Sequence, residues 1–381
     1  MAIFRNFTKR IFIFLNLGVA VLFLLACANS FLHPDKWWFI SLLGLIFPLL
    51  LLVVILFFIF WLLVSSRAWA LLSLVAMIIG WKNIRTFLAF HPGSKFIAQK
   101  PAGALRVLTW NVRSWDEFVS KRSEILVHRN KMMDFLKDQD ADVLCFQEFF
   151  ESHNSKEYPA NIPFICNELH FPYFFFSHDY KRRDGMYETG VIIFSKYPII
   201  RRFQIKYDKP DSVKATESLI ATDLDVKGTI IRVFTTHLQS VLFRNKDFRD
   251  IEIITNVDDS LLQASKSIVK KLKRAFSLRG FQADLVREQL DESPYPVIVC
   301  GDFNDVPNSY TYFKIRGDRQ DAFIQKGFGI GRTYVHLSPT LRIDYIMAGK
   351  QFNILQCRKF PLPYSDHHPV IADIQLPGTT Q

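Results

Sequence analysis

The sequence predicts a mixed α/β domain preceded by N-terminal transmembrane helices. Three observations carry this. Two uncharged apolar stretches, residues 11–31 and 37–64, each match the ~20 residues that a bilayer span requires. Beyond residue 104, short and nearly unbroken runs of Val, Ile, Leu and Phe recur, as in strands covered on both faces. Amphipathic helical patterns stand between some of them.

The chain has 381 residues, a net charge of +11, 22% charged residues and five Cys. Its mean hydropathy is +0.11. This composition excludes a disordered tail protein and a disulfide-stapled miniprotein. A positive hydropathy beside so many charges indicates two unlike compositions averaged over one chain. Residues 1–100 hold nine basic side chains and one acid, Asp35, so they carry +8 of the +11. The remaining +3 is weak support for a nucleic-acid footprint.

Residues 1–90 read as a membrane anchor. Trp37, Trp38 and Trp61 sit near the ends of the second stretch, as interfacial aromatics do. A third stretch, 68–81, would rise only ~21 Å as a helix and reads as a short span. The anchor is thus expected to have two or three transmembrane helices. Arg5, Lys9 and Arg10 place the N-terminus inside, and Arg67 in the Ser65-Ser66-Arg67 break fits the same side. Three spans put the C-terminal domain outside or in a periplasm, which is the expectation. Two spans put it in the cytoplasm, and Lys82 and Arg85 pull that way. Ala26-Cys27-Ala28 also resembles a small-residue cleavage site, but the second span argues against a plain secreted product. Residues 91–103, with two Pro-Gly-containing turns, form a linker. The soluble domain covers 104–376.

Within that domain the apolar runs tend to end on polar residues. Run 105–110 ends at Asn111, 142–146 at Gln147-Glu148, 230–236 at His237 and 297–300 at Gly301-Asp302. Run 343–347 carries Asp344, and Asp366-His367-His368 precedes 369–371. Run 190–195 is a further strand. Ser123 is expected to cap a helix through Lys137. A second amphipathic stretch spans about 260–276. There Lys266, Lys270, Lys271, Lys273 and Arg274 oppose Leu262, Ile268, Val269, Leu272 and Phe276. That basic face reads as a membrane-surface or anionic-ligand contact, or more plainly as a solvated face of a helix packed on a sheet. Lys181-Arg182-Arg183 reads as a charged turn or a substrate-contacting loop. Cys145 and Cys300 are expected to be buried thiols, and the cysteine spacing signals neither zinc nor a disulfide.

Each polar residue alone has an ordinary explanation. Together they make a set: Asn111 and Asn304, Glu148, Asp302, Asp344 and Asp366, His237 and His367. Carboxylates and amide oxygens without thiolates suit a hard cation, Mg²⁺ or Mn²⁺. No serine or cysteine nucleophile stands beside a matched base, so the set points to metal-assisted attack by water. Imidazoles and amide N–H groups would stabilise charge building on a phosphoryl group.

Thr109-Trp110-Asn111-Val112-Arg113, Cys145-Phe146-Gln147-Glu148, Thr236-His237-Leu238, Gly301-Asp302-Phe303-Asn304, Arg342-Ile343-Asp344-Tyr345 and Ser365-Asp366-His367-His368-Pro369 stand in that order. With the 190–198 strand and turn, the domain resembles the endonuclease/exonuclease/phosphatase superfamily. The resemblance implies a four-layered α/β sandwich, two packed and mostly antiparallel sheets flanked by helices. It also implies roles. Glu148 is the principal metal ligand, with Asn111 on the metal or its water and Asp366 in the metal shell. Asp302 orients or deprotonates the attacking water, Asn304 holds the phosphate and His237 bonds a phosphoryl oxygen. His367, oriented by Asp344, contacts the scissile phosphate. Asp302 and His367 both remain candidates for the general base. Apurinic-site nucleases of this superfamily tend to carry Asp where this chain has Arg113, and Tyr near His237. Thr-His-Leu looks more like the sphingomyelinase, inositol-phosphatase and deadenylase branches.

The expectation is a membrane-anchored, Mg²⁺- or Mn²⁺-dependent phosphoesterase whose partners are the lipid bilayer and a phosphoester, which its location makes a candidate lipid-linked substrate. Two rivals are a nuclease acting on DNA or RNA, with nucleic acid the disfavoured partner, and a non-catalytic membrane scaffold on a retained fold.

Overall fold

The structure is a computed structural model that describes residues 2–64, 66–93, 95–117, 122–207, 218–241 and 261–377. Ser65, Ser94 and Ser260 fall on the expected interhelical break, linker and helix start, and they lie outside the described residues. The helices are α1 (Ala2–Ala28), α2 (Pro34–Leu45), α3 (Phe47–Leu63), α4 (Arg67–Ile79), α5 (Trp81–Phe87), α6 (Arg122–Asp138), α7 (Asn161–Glu168), α8 (Leu261–Asp291), α9 (Tyr310–Arg316) and α10 (Ala322–Lys326). The strands are β1 (Ala89–Phe90), β2 (Ala104–Asn111), β3 (Val143–Ser152), β4 (Tyr173–Phe176), β5 (Tyr180–Arg182), β6 (Tyr187–Ser195), β7 (Ile199–Ile205), β8 (Leu219–Val226), β9 (Thr229–His237), β10 (Val297–Asp302), β11 (Gln320–Asp321), β12 (Phe328–Gly329), β13 (Asp344–Ala348), β14 (Asn353–Lys359) and β15 (Val370–Gln375).

Two compact units are present. The first comprises residues 1–88, 240–284 and 305–315, and the second 89–239, 285–304 and 316–381.

In the first unit, α1 carries the apolar segment Phe7–Ala28, long enough to cross a membrane. The expected second span, 37–64, falls on α2 and α3, which meet at a 56° bend, and the expected third, 68–81, falls mainly on α4, which meets α5 at a 66° bend. Pro48 lacks an N–H and sits in the first turn of α3, where the helix has no use for one. Among the described residues, one helix is long and apolar enough to cross a membrane, or up to three if each bent pair is one span. α1 and α3 run antiparallel. Phe12 of α1 stacks on Phe60 of α3 at 5.0 Å, and Phe23 on Phe47 at 5.5 Å. Asn16 is buried yet satisfied, donating to the Trp69 carbonyl and accepting from Ser73.

The second unit holds two large sheets. One has the order β11-β13-β10-β9-β8-β7, and the other β14-β15-β2-β3-β6-β4 with β5 on β6. Both are mostly antiparallel, with β9–β10 and β2–β3 the parallel pairs. Side chains alternate along each strand. Leu105, Val107, Val143, Cys145, Val191 and Ile193 pack in one cluster with Ile220, Val233, Ile298 and Ile346 of the other sheet. Leu108, Trp110, Leu144, Phe146, Ile192 and Phe194 point the other way, against Met132, Met133 and Leu136 of α6 and Ile165 of α7. Apolar residues at both parities therefore reflect a strand buried on both faces, each full burial contributing about 1.5–3 kcal/mol.

Two local expectations differ. Ser123 lies inside α6, which starts at Arg122. The amphipathic stretch continues past Phe276 to Asp291 as one 31-residue helix.

Arg106 of β2 interrupts its apolar strand without being exposed. It faces Asp373 across the β2–β15 pair, with Nε and Nη2 donating at 2.6 and 2.8 Å. The Ala98 and Gln139 carbonyls take further N–H bonds from it. Asp373→Ala would leave a buried guanidinium without its counter-ion. The expected cost is about 3–5 kcal/mol of stability, read from the denaturant midpoint of the full chain. A loss below about 1 kcal/mol would show that the pair is replaceable.

Candidate active site

The ends of three neighbouring strands set three site residues side by side. Asp302 at the end of β10 is in register with His237 of β9 on one side and with Asp344 of β13 on the other. Gly301 makes this possible. A Cβ there would fall 2.1 Å from the Thr236 carbonyl oxygen, and its φ of +139° suits glycine. After the strand the chain turns sharply. Asn304 adopts a left-handed φ of +52°, its backbone N–H donates to Asp302 Oδ1 at 2.8 Å, and its side-chain amide donates to the Leu238 carbonyl.

The other sheet supplies Asn111 and Glu148. Asn111 shares the parity of Leu105 and Val107, which face the space between the sheets. Its amide nitrogen donates to Glu148 Oε1 and to Asp302 Oδ2, both at 3.1 Å, and its oxygen accepts the Arg113 N–H. Glu148 sits at a register shift in β3 with φ +50°. The irregularity re-aims its side chain out of simple alternation. Beneath it, Gln147 ties the sheets together, donating to Thr235 of β9 at 2.9 Å and to Thr109 of β2 at 3.2 Å.

His367 arrives from the loop before β15. Trp110 Nε1 donates to its carbonyl at 2.8 Å. Ser365 Oγ donates to the Asn111 carbonyl at 2.8 Å and accepts the His367 N–H at 3.1 Å. The Trp and Ser of these motifs thus anchor the loop. The imidazole Nδ1 lies 3.0 Å from Asp344, and Nε2 lies 3.6 Å from Asp302 Oδ2. His237 Nε2 lies 3.5 Å from the same oxygen and 3.8 Å from Glu148.

Asp302 is therefore the hub, fully buried among an amide and two imidazoles. Burial pushes its carboxyl up to about 6, with Asp344 adding to the rise and the two imidazoles opposing it. Burial alone would lower His367, but Asp344 and Asp302 hold it well above the ordinary imidazole value. Next in sequence, His368 is pushed down to about 4 by burial, Lys359 and Arg332.

The eight residues do not all converge. Asn111, Glu148, His237, Asp302, Asp344 and His367 form one connected group, and Asn304 braces it through its backbone. Asp366 instead faces the Arg113 guanidinium, Nε to Oδ2 3.6 Å, and lines an adjoining cavity of about 570 Å³. Val335, Pro361, Leu362, Pro363 and Tyr364 provide apolar walls there. Residues 113–116 all have left-handed φ, between 46° and 60°. Such a turn costs about 1–2 kcal/mol per residue. It is held by fully buried Trp115 on the rings of Phe146 and Phe149.

Sequence reasoning passed over that turn, the Gln147 tie and Tyr334, which bridges His367 and whose ring lies 5.0 Å from its imidazole. The turn and Tyr334 carry no local pattern, and Gln147 stands in a motif that does not show its partner Thr235. Each acts through a residue distant in sequence.

The donor set fits a hard divalent cation. Asp302, Asp344 and His367 offer ligand atoms within 4.8 Å of one another, all buried. Glu148 adds a part-exposed carboxylate at the open side. The carboxylate oxygens are the donors such ions prefer, while the His367 imidazole is engaged by Asp344.

Comparison with known proteins follows the same lines. The Endonuclease/Exonuclease/phosphatase family matches residues 108–367. A domain of unknown function (DUF8431) matches residues 9–87. No curated protein matches the chain in sequence. Among solved structures, an endonuclease/exonuclease/phosphatase from Beutenbergia cavernae is similar with TM-score 0.51 and 18% identity, over 74% of this chain and 72% of that one. An endonuclease/exonuclease/phosphatase family protein from Leptotrichia buccalis gives 0.48 and 15%, over 72% and 100%. The human Nocturnin catalytic domain with bound sulfate gives 0.49 and 17%, over 71% and 93%. The first of these shares the mixed α/β fold of several sheets flanked by helices. Members of the matching family are generally phosphoester-hydrolysing and generally depend on a divalent metal. The family match takes in most of the chain and every residue of the site just described, and the chain belongs to the endonuclease/exonuclease/phosphatase family.

Proposed function

We propose that the chain is a membrane-anchored phosphoesterase in which water attacks phosphorus with help from Mg²⁺ or Mn²⁺. The observation that carries this is Asp302, buried and contacted at once by Asn111, His237 and His367. Glu148 would hold the cation, with Asn111 steadying its carboxylate and Asp366 at the edge of the shell. When bound, the cation supplies Lewis-acid polarisation and charge neutralisation.

The protein's own groups divide the proton work. Asp302 is ionised above about pH 6, so at neutral pH it accepts a proton from water. His367 is held protonated by Asp344, so its Nε2–H donates to a phosphoryl or leaving oxygen rather than acting as base. His237 donates to a second phosphoryl oxygen, and Asn304 braces the Asp302 carboxylate. The cavity beside Asp366 and Arg113 would receive part of the substrate. Its apolar walls favour a substrate with an apolar portion, such as a lipid-linked phosphoester.

For the anchor we propose three spans, α1 and the two bent pairs, with the division into residues 1–90, linker 91–103 and domain 104–376. Basic residues Lys9, Arg10 and Arg67 lie at one end of this bundle, because Phe12 and Asn16 of α1 meet Phe60 and Trp69. Reading that end as cytoplasmic by the positive-inside rule puts the enzyme outside the cytoplasm, against the pull of Lys82 and Arg85.

Hydrolysis of bis-nitrophenyl phosphate by the full chain is expected to need Mg²⁺ or Mn²⁺ and to fall about 10³-fold or more in Glu148→Ala or Asp302→Ala. Full activity in chelator or in either variant would refute the mechanism. A panel of a sphingomyelin-type lipid, an inositol phosphate, single-stranded RNA and plasmid DNA identifies the substrate class; turnover of the nucleic acids alone would favour a nuclease.

A second prediction concerns Asp344→Asn. In the parent, folding raises the His367 pKa. Its stabilising contribution is therefore complete below about pH 6.5 and is lost as pH rises through the folded value. The variant should lose part of this pH dependence, Asp302 still holding the imidazole up, and kcat should fall about 10²-fold or more. Unchanged stability–pH and rate–pH curves would show that Asp344 does not hold the proton on His367.

A further inference from the structure

The basic face of α8 belongs to the first compact unit, together with the membrane helices. Three successive turns of α8 follow the first turn of α2. Gly280 lies so close to Pro34 that a Cβ there would meet its Cγ at 2.6 Å. Ser277 Oγ donates to Asp35 Oδ1 at 2.5 Å. Lys273 Nζ stands 5.3 Å from the Trp38 ring centroid, a cation–π contact. Residues 280, 277 and 273 are spaced as one helical stripe, and 270 and 266 continue it.

The continuation is exposed and basic. Lys266, Lys270, Lys273 and Arg274 are exposed. Among the described residues, none of the four has an acidic partner. The neighbouring α2 residues differ from a water-facing surface. Trp37 is 44% and Phe39 45% exposed, and Phe31 just before the helix is 71% exposed. Exposed Trp37 suits the headgroup layer of a bilayer, where its apolar body and polar N–H are both accommodated, and Phe31 and Phe39 suit the apolar boundary beside it. Trp38 thus ties Lys273 to α2, and Lys270 and Lys266 continue the stripe beyond that contact.

We infer that this stripe of α8 binds the anionic headgroups of phospholipids in the same bilayer that holds the anchor. The inference rests on the proposed membrane anchoring. Lysines on long stems reach phosphate oxygens while their methylenes lie on the apolar boundary, and juxtamembrane basic clusters attract acidic lipids. This favours a specific reading of the amphipathic pattern over a solvated helix face. The docked half of the stripe is committed to α2, and the charged half is what remains to meet lipid.

The test uses the full chain in phosphatidylcholine vesicles that contain spin-labelled phosphatidylglycerol or spin-labelled phosphatidylcholine. The motionally restricted fraction reports lipid at the protein boundary. The parent is expected to select phosphatidylglycerol about three-fold or more at low salt, and to lose most of this at about 0.5 M salt. The combined variant Lys266→Gln, Lys270→Gln, Lys273→Gln, Arg274→Gln should lower the selectivity at least about two-fold. The corresponding Lys-to-Arg variant, K266R with K270R and K273R, should keep it. Unchanged selectivity in the glutamine variant overturns the inference, as does a single Lys270→Glu change without effect. Carbonate extraction of the same vesicles reads anchoring separately. A chain that is extracted refutes the anchor, whereas a retained chain with unaltered lipid selectivity refutes only the stripe.

Discussion

A carboxylate buried where two sheets meet is the constraint on which the site depends. Asp302 has no access to water, and an isolated ionised carboxylate in such a place is costly. The surrounding groups answer that cost: an amide from one sheet, an imidazole on the neighbouring strand, a second imidazole from a loop and a backbone N–H from the following turn. They offset it in part, and burial still holds the carboxyl up at about 6. A group kept so close to losing or gaining a proton suits chemistry better than structure.

The rest of the second unit can be read as what keeps this arrangement in register. Gln147 links the sheets directly below it. Trp110 and Ser365 fix the loop that delivers His367. The unusual backbone is concentrated here as well, at Glu148, Asn304 and the left-handed turn from Arg113 to Asp116. Each conformation has a cost, and packing around it sustains that cost, as Trp115 does against two phenylalanines.

Much of this was legible in the residues and their order. Strand runs announced themselves because both parities were apolar, and the ordered polar residues at their ends suggested a shared edge. Asn111, Glu148, His237 and Asp302 stand within the strands rather than after them, a shift of one or two positions that pattern alone does not resolve. Asp366 was grouped with the others by motif, yet its carboxylate turns to Arg113. The bend at Ile46 lies inside one apolar run, two residues before Pro48, and the bend at Gly80 lies where the apolar run gives way to Lys82 and Arg85. The basic face of α8 was visible as a stripe, but its neighbour was not. Only the approach of Gly280 to Pro34 and Lys273 to Trp38 shows which element it follows.

The proposed reaction is attack of water on phosphorus at the site built around Asp302. Hydrolysis of bis-nitrophenyl phosphate by the full chain in water enriched in heavy oxygen tests it most directly, with mass analysis of both products. The account predicts heavy oxygen in the nitrophenyl phosphate and none in the nitrophenol, with incorporation lost in Asp302→Ala. Heavy oxygen in the nitrophenol, or undiminished incorporation in that variant, would contradict it.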